Sequence, residues 1–358
     1  MSAVRVLFDT QAFRFQRLGG VSRYFAQLIR TLRLFNVSPI LRMPFTANEH
    51  AASAGLSRLI SSDFVRRVAN RSLAYSDSIV TRAARFDVLH RTYFGIPQGT
   101  RRPSVCTVHD MTPELFPGHF RENPHRHKHE VVWASDLVLC VSESTTRDLL
   151  DIYDYPSARV FTTPLGIDLA FFENTPVAPN PFRRPYLLFV GDRGGYKNFE
   201  RFSVAAAELL SRHRGLSLAV LGGPPLSTGE LDPFRKVGVL ERVSRASVGD
   251  STLPTVYREA EAFVFPSEYE GFGLPLLEAF ACRCPVAASR TSSLGEIGGA
   301  AVEYFDPRSI DDMARAMTTI LESPTRALQL KQRGLDQVRL YSWERTAAAT
   351  AAAYRWLL

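Results

Sequence analysis

The chain has 358 residues, 45% of them apolar and 22% charged, with a formal net charge of +7. This length accommodates two domains of ordinary size, and the composition is that of a soluble globular protein rather than a disordered or fibrous one. No run of 18 apolar residues suggests a membrane span, and no RRM, zinc-finger or helix-turn-helix signature accompanies the basic charge, so nucleic acid is the weakest of the anionic partners.

The charge is uneven. Residues 1–170 hold 21 basic and 15 acidic side chains, so +6 of the total lies there. Lysine occurs only at Lys128, Lys197, Lys236 and Lys331, which makes a lysine inside a motif more telling than an arginine.

In chain order, Met1–Phe8 already reads as a first strand rather than a leader. Strands are predicted at Val4–Asp9, Pro39–Met43, Val88–Arg91, Ser104–Val108, Leu137–Val141 and Val160–Thr163, with helical patterns between them. After the first strand, Gly19-Gly20 precedes a helix running through Leu28, Ile29 and Leu32. Paired glycines there suit close approach to a diphosphate or sugar, with a plain turn as the alternative.

Residues 56–73 place Leu56, Leu59, Ile60, Phe64, Val65 and Val68 near one helical face beside Arg58, Arg66, Arg67 and Arg71. Such a helix either packs on its own domain or lies on anionic lipid. At the end of the Ser104–Val108 run, His109-Asp110 is positioned to donate a hydrogen bond to a ligand or to form an internal pair. The cluster His125-Arg126-His127-Lys128-His129 suits acceptor or membrane phosphate better than zinc.

Residues 173–181 are polar and proline-rich and read as a linker. Beyond it, strands are predicted at Tyr186–Val190, Leu216–Leu221, Arg242–Ser247, Ala262–Phe265 and Pro285–Ala288. The expectation is two doubly wound domains, each with ligand-binding loops at the carboxyl ends of its strands and a cleft between them. Cys106, Cys140, Cys282 and Cys284 fit no zinc or redox spacing and read as buried reduced thiols in a cytoplasmic protein.

The second half carries the two most informative loops. Gly191–Phe199 follows a strand and holds Arg193 and Lys197, two cations able to neutralise a leaving diphosphate. Glu270-Gly271-Phe272-Gly273-Leu274-Pro275-Leu276-Leu277-Glu278 follows another strand and opens a helix with proline in its first turn. The helix start favours an anion. Two carboxylates beside it are better used to accept hydrogen bonds from hydroxyls, and a nucleotide sugar offers both groups. An ordinary helix start with two solvated glutamates is the plainer alternative.

Taken together these segments resemble the retaining glycosyltransferases of family 4, with the α/β GT-B fold, over nearly the whole chain. The most specific stretch is Phe265–Ala279, supported by Phe8-Asp9, Gly19–Phe25, Val141–Thr145, Pro164–Asp168 and Tyr341–Thr346. The chain departs from the usual pattern at Arg283, at Gly295 before Glu296, and in the placement of Arg193, shifted by one from some relatives.

The resemblance implies three regions: 1–175, a Rossmann-like acceptor-side domain; 176–344, a Rossmann-like nucleotide-sugar domain; and 345–358, a helix returning to the first. Arg193 and Lys197 would bind the donor diphosphate and Glu270 the hydroxyls of the transferred sugar. The N–H groups of Phe272, Gly273 and Leu274 would hold sugar or phosphate, and Glu278 the ribose. Gly19 and Gly20 would close over the phosphates, with His109 near the reaction centre.

The resemblance further implies retaining, metal-independent transfer without a cofactor, from a nucleotide sugar to a saccharide or lipid-linked saccharide in surface polysaccharide assembly. GDP-mannose is favoured because relatives with the Tyr196-Lys197-Asn198-Phe199 pattern are often mannosyltransferases, while UDP-sugars stay open. Arg66, Arg67, His125 and Lys128 would serve the acceptor or a peripheral inner-membrane contact. The alternatives are a GT-B UDP-sugar epimerase and a degenerate nucleotide-binding protein. Retention of Lys197, Glu270 and Glu278 argues against the second.

Overall fold

The computed structural model describes residues 3–14, 19–60, 77, 81, 84–95 and 100–358. Its short apolar runs form strands: β1 (Val4–Phe8), β2 (Val37–Leu41), β3 (Phe45–Thr46), β4 (Arg58–Leu59), β5 (Val88–Arg91), β6 (Ser104–Val108), β7 (Leu137–Cys140) and β8 (Val160–Thr162). Six of these make one sheet in the order β2-β1-β5-β6-β7-β8, every pairing parallel. The strands β5, β6 and β7 are buried along their whole length, as expected of the middle of a parallel sheet.

The strands β9 (Tyr186–Val190), β10 (Ser217–Leu221), β11 (Val243–Ala246), β12 (Ala262–Phe265), β13 (Val286–Ser289) and β14 (Val302–Phe305) make a second parallel sheet in the order β11-β10-β9-β12-β13-β14. This is the doubly wound order, with its switch point between β9 and β12, where crossovers leave in opposite directions and open a crevice at the strands' carboxyl ends. Phe189, Phe199 and Phe202 pack edge-on and stacked at 4.9 to 5.7 Å in the core beneath it.

Two compact units result. Unit 1 comprises Met1–Gly166 with Ser342–Leu358, and unit 2 comprises Ile167–Tyr341. The boundary therefore lies at Gly166/Ile167 and not in the proline-rich segment. That segment is fastened to unit 2: Ala178 N donates to Thr255 Oγ1 (2.9 Å), and Asn180 Nδ2 donates to the Tyr186 hydroxyl (2.9 Å) and to Glu259 (2.7 Å). Side chains of neighbouring elements supply the hydrogen bonds that a proline-rich backbone cannot make with itself.

The final helix, Trp343–Leu357, is part of unit 1. Ser342 caps its start by accepting from Arg345 N, and Thr346 Oγ1 donates to the Pro164 carbonyl at 2.7 Å. The face with Trp343, Ala347, Thr350, Ala351 and Tyr354 is buried. All four cysteines are buried free thiols. Among the described residues no helix is long and apolar enough to cross a membrane. The segment predicted as a basic amphipathic helix begins instead with β4, whose Arg58 and Leu59 pair with β3; Arg66 and Arg67 lie outside the described residues.

Candidate functional site

The carboxyl ends of β9 and β12 bring the two sequence-predicted loops of unit 2 together. Past β9 the chain makes a 3-10 turn over Gly195–Lys197 and enters the helix Phe199–Arg212 through Asn198 in the left-handed region at φ 59°. The buried Asn198 amide explains this conformation: its Nδ2 donates to the carbonyls of Pro266 (3.0 Å) and Pro307 (2.8 Å). Glu268 N donates to the Tyr196 carbonyl at 2.7 Å, closing the second loop onto the first.

Lys197 and Glu270 meet across this seam. Lys197 Nζ donates to Glu270 Oε1 at 2.7 Å, with the two side chains 23% and 14% exposed. Such intermediate exposure leaves both within reach of a ligand while water screens the pair only partly. Ser267 Oγ donates to the same carboxylate oxygen at 2.7 Å. The glutamate's backbone is held as well, with Glu270 N donating to Ser292 Oγ (2.9 Å) and Ser293 Oγ donating to the Glu270 carbonyl (2.8 Å). Ser292 lies at φ 43°, uncommon for a non-glycine residue and a mark of constrained sites.

The loop then turns at Gly273, whose φ of 98° glycine alone adopts readily, and a Cβ there would stand 2.9 Å from Leu294 Cδ2. The helix Leu274–Ala281 begins at once with Pro275 in its first turn, as the sequence predicts. Among the described residues no side chain caps this helix start. Phe272 is buried edge-on to Tyr341 at 5.8 Å, which fixes the backbone that carries the Phe272, Gly273 and Leu274 N–H groups. Glu278, one turn on, is buried and accepts from the Tyr257 hydroxyl at 3.2 Å. Burial and the Glu278 carboxylate together hold the Tyr257 phenol well above its ordinary range, so it remains a donor.

Arg193 departs from expectation. It is not an exposed cation of the loop but 6% exposed, and its guanidinium is committed to protein groups. Nε donates to Glu230 at 2.6 Å, Nη1 to the Gly222 carbonyl at 3.3 Å, and Nη2 to the carbonyls of Pro224 (2.6 Å) and Pro225 (3.2 Å). The side chain folds inward because a planar guanidinium can satisfy several converging carbonyls and a carboxylate at once. Lys197, and not Arg193, is the cation beside Glu270.

In unit 1 the Gly19-Gly20 pair starts the helix Gly20–Leu32, with Gly19 extended as its N-cap. A Cβ on Gly20 would meet nothing within 4 Å, so space is open there among the described residues. His109, just past β6, packs against the edges of Tyr24 (4.9 Å) and Phe25 (6.0 Å). Its Nε2 is shielded from solvent and has no hydrogen-bond partner among the described residues. Burial pushes its pKa down to about 4, so the ring is neutral near pH 7. Asp110 does not pair with this ring but accepts from Thr112 N at 2.9 Å.

His125 and Lys128 do not form a surface phosphate patch. Lys128 is fully buried, its ammonium donating to Glu114 (2.7 Å) and to the Asp110 carbonyl (2.9 Å). His125 Nε2 lies 3.0 Å from the Tyr93 hydroxyl, and burial pushes this imidazole down to about 4. A polar cluster that looks solvated in sequence is thus partly turned inward, where Glu114 compensates the buried charge. Among the described residues no group of three or more His, Cys, Asp or Glu side chains is arranged to hold a metal ion.

Sequence reasoning missed three supporting groups. Ser267 and the Ser292-Ser293 pair position Glu270, Glu230 compensates Arg193, and His90 sits at the centre of unit 1. His90 Nδ1 lies 2.6 Å from the Tyr354 hydroxyl, and Nε2 lies 2.8 Å from Thr107 Oγ1. Only Ser267, inside the most specific stretch, carried a local signal.

Two family profiles cover residues 18–337 between them. The one described as Glycosyltransferase Family 4 matches 18–171, and the one described as Glycosyl transferases group 1 matches 172–337. Among curated relatives, the O-antigen chain mannosyltransferase B of Escherichia coli is 28% identical, over 99% of this chain and 100% of that one. A D-inositol 3-phosphate glycosyltransferase of Kineococcus radiotolerans is 32% identical over 63% of this chain and 58% of its own length. Among solved structures, a glycosyltransferase from Rickettsia africae superposes with a TM-score of 0.74 at 14% identity, covering 100% of this chain and 99% of that one. Anabaena HepE in complex with UDP and glucose does so at 0.72 and 16%, covering 99% and 100%. Those two speak to fold alone. With both profiles matched in succession, each over one doubly wound half, the chain belongs to the family 4 glycosyltransferases and has the GT-B fold.

Proposed function

We propose that this glycosyltransferase moves a mannosyl group from GDP-mannose to a saccharide or lipid-linked saccharide acceptor, in assembly of an O-antigen type of surface polysaccharide. The full-length similarity to an O-antigen chain mannosyltransferase supports the sugar and the acceptor class. The observation that carries the site is the Lys197–Glu270 contact of 2.7 Å at the switch point of unit 2. There a phosphate-binding cation and a hydroxyl-accepting carboxylate stand side by side, as the anomeric end of a nucleotide sugar requires.

In this reading Lys197 and the N–H groups of Phe272, Gly273 and Leu274 receive the diphosphate. Their fixed positive potential meets charge as it develops on the leaving group, so the chain's own donors do this work without a metal ion. Glu270 holds hydroxyls of the transferred sugar and Glu278 those of the ribose. The reaction retains anomeric configuration, with a leaving phosphate oxygen taking the acceptor proton. In unit 1, Gly19 and Gly20 provide close backbone approach, and the neutral His109 ring donates a hydrogen bond without adding charge.

Calorimetric titration with GDP, UDP, GDP-mannose and UDP-glucose tests this, repeated on Lys197→Ala. Binding of the guanosine compounds alone, lost in the variant, is the expected result. Selective binding of the uridine compounds would replace the donor, and binding of none would overturn the reading. Product analysis with a saccharide acceptor then tests retention.

A further inference from the structure

We propose that Arg193 and Glu230 are positioning residues that preorganise the donor-binding loop, and that neither touches the donor. This rests on the donor-site reading of unit 2 and adds to it a device with no direct ligand contact.

The geometry is a buried clamp. Arg193 lies four residues before Lys197 in the same loop, and its guanidinium reaches the next strand's loop, Gly222-Gly223-Pro224-Pro225, where it binds three carbonyls. Glu230 completes the clamp at 2.6 Å, and its second oxygen is fixed by Ser227 N (2.7 Å) and Ser227 Oγ (2.8 Å) at the start of the helix Thr228–Lys236. Arg245 binds the same arch from β11, donating to the Gly222 and Gly223 carbonyls.

Pro224 and Pro225 have no N–H, and the arginines satisfy the arch's carbonyls from outside. Gly223 suits this close approach. Its φ is 64°, and a Cβ would lie 2.5 Å from Arg193 Nη1. Behind the clamp the guanidinium also sits over the Phe199 ring at 5.6 Å, so the start of the following helix is gripped as well. Lys197 lies between these two fixed points, Arg193 and Phe199. Its placement against Glu270 therefore depends on a clamp that presents no charge to the ligand.

A lysine cannot reproduce this fork, and that separates positioning from direct binding. The experiment measures Kd for GDP and UDP at two salt concentrations for the wild-type protein, Arg193→Lys, Arg193→Ala, Glu230→Gln and Lys197→Ala, with melting temperature alongside. Arg193→Lys is expected to weaken the bound nucleotide as much as Arg193→Ala, and Glu230→Gln to follow in the same direction, by about tenfold. The salt dependence should stay as in wild type for all three and flatten only for Lys197→Ala. If Arg193→Ala does not fold, Arg193→Lys and Glu230→Gln decide.

Wild-type affinity in Arg193→Lys, or a flattened salt dependence in Arg193→Ala, would make Arg193 a direct phosphate ligand and overturn the proposal. So would lowered melting temperatures with unchanged Kd of the folded fraction, which would make the clamp purely architectural. Binding that needs Lys197 but neither Arg193 nor Glu230 refutes the clamp alone. Failure of the wild-type protein to bind either nucleotide refutes the donor reading and the clamp with it.

Discussion

The two units share parallel sheets of six strands but use their polar residues in opposite ways. In unit 2 the carboxyl edge of the sheet holds Lys197 and Glu270 partly buried, supported from behind by buried groups such as Asn198 and Arg193. In unit 1 the polar residues around the central strands are turned inward. His90 links Tyr354 to Thr107, Tyr24 follows at 3.4 Å from Thr107, and Lys128 is buried on Glu114. One fold plan thus supports a charged, partly exposed edge in one half and an inward-turned polar network in the other. The difference lies in side chains and not in topology.

The strongest way to break this contrast is Glu270→Ala. Transfer should fall by about three orders of magnitude, because interactions made at the reacting sugar are strengthened in the transition state. The melting temperature should change little, since the carboxylate is partly exposed; a large drop in stability would show that Glu270 is part of the scaffold. For unit 1 the converse holds. Lys128→Ala strands the Glu114 carboxylate and should cost about 3–5 kcal/mol in chemical denaturation. A loss below about 1 kcal/mol would mean the pair is solvated like a surface bridge.

Acid should separate the halves next. Burial lowers His90 to about 3 and both His109 and His125 to about 4, and all three lie in unit 1. Because each folded value lies below the unfolded one near 6.5, the unfolded chain binds more protons between the two. Their stabilising contribution is then complete above pH 6.5 and is lost as pH falls through the folded values. By pH 5 each should cost about 1–2 kcal/mol. Asp77 works against them: burial and the nearby Asp9 raise it to about 6, so its penalty shrinks on acidification. Hydrogen exchange at pH 5 and pH 7 should show the unit 1 strands losing protection first; equal loss in both units would break the comparison. The smallest effect is expected from Tyr354→Phe, which removes one hydrogen bond to His90 and should lower stability by about 1 kcal/mol.

Much of the fold was legible because parallel strands buried on both faces appear as continuous apolar runs. Val88–Arg91, Ser104–Val108, Tyr186–Val190 and Ala262–Phe265 are found as predicted. The strands β3 and β4 were not predicted, being two residues long, and neither was β14, an edge strand with Glu303 and Tyr304 only partly buried. The helix start at Leu274-Pro275 was legible because its signals are local. The proline-rich segment falls within unit 2; composition shows that a segment lacks regular structure but not which unit holds it.

The sequence by itself determined the α/β class, the two glycine-containing loops, the presence of Lys197, Glu270 and Glu278 in one half, and the family. These rest on local pattern: strand hydrophobicity, turn residues and short motifs with fixed spacing. Tertiary structure alone decided which cation stands beside Glu270. Arg193 and Lys197 look alike from four residues apart, yet one meets the Gly222–Pro225 carbonyls and Glu230, and the other meets Glu270. The burial of Lys128 was decided in the same way, by Glu114 and the Asp110 carbonyl. A charged side chain takes its place from the partners that compensate its desolvation, and for both Arg193 and Lys128 those partners come from other elements of the chain.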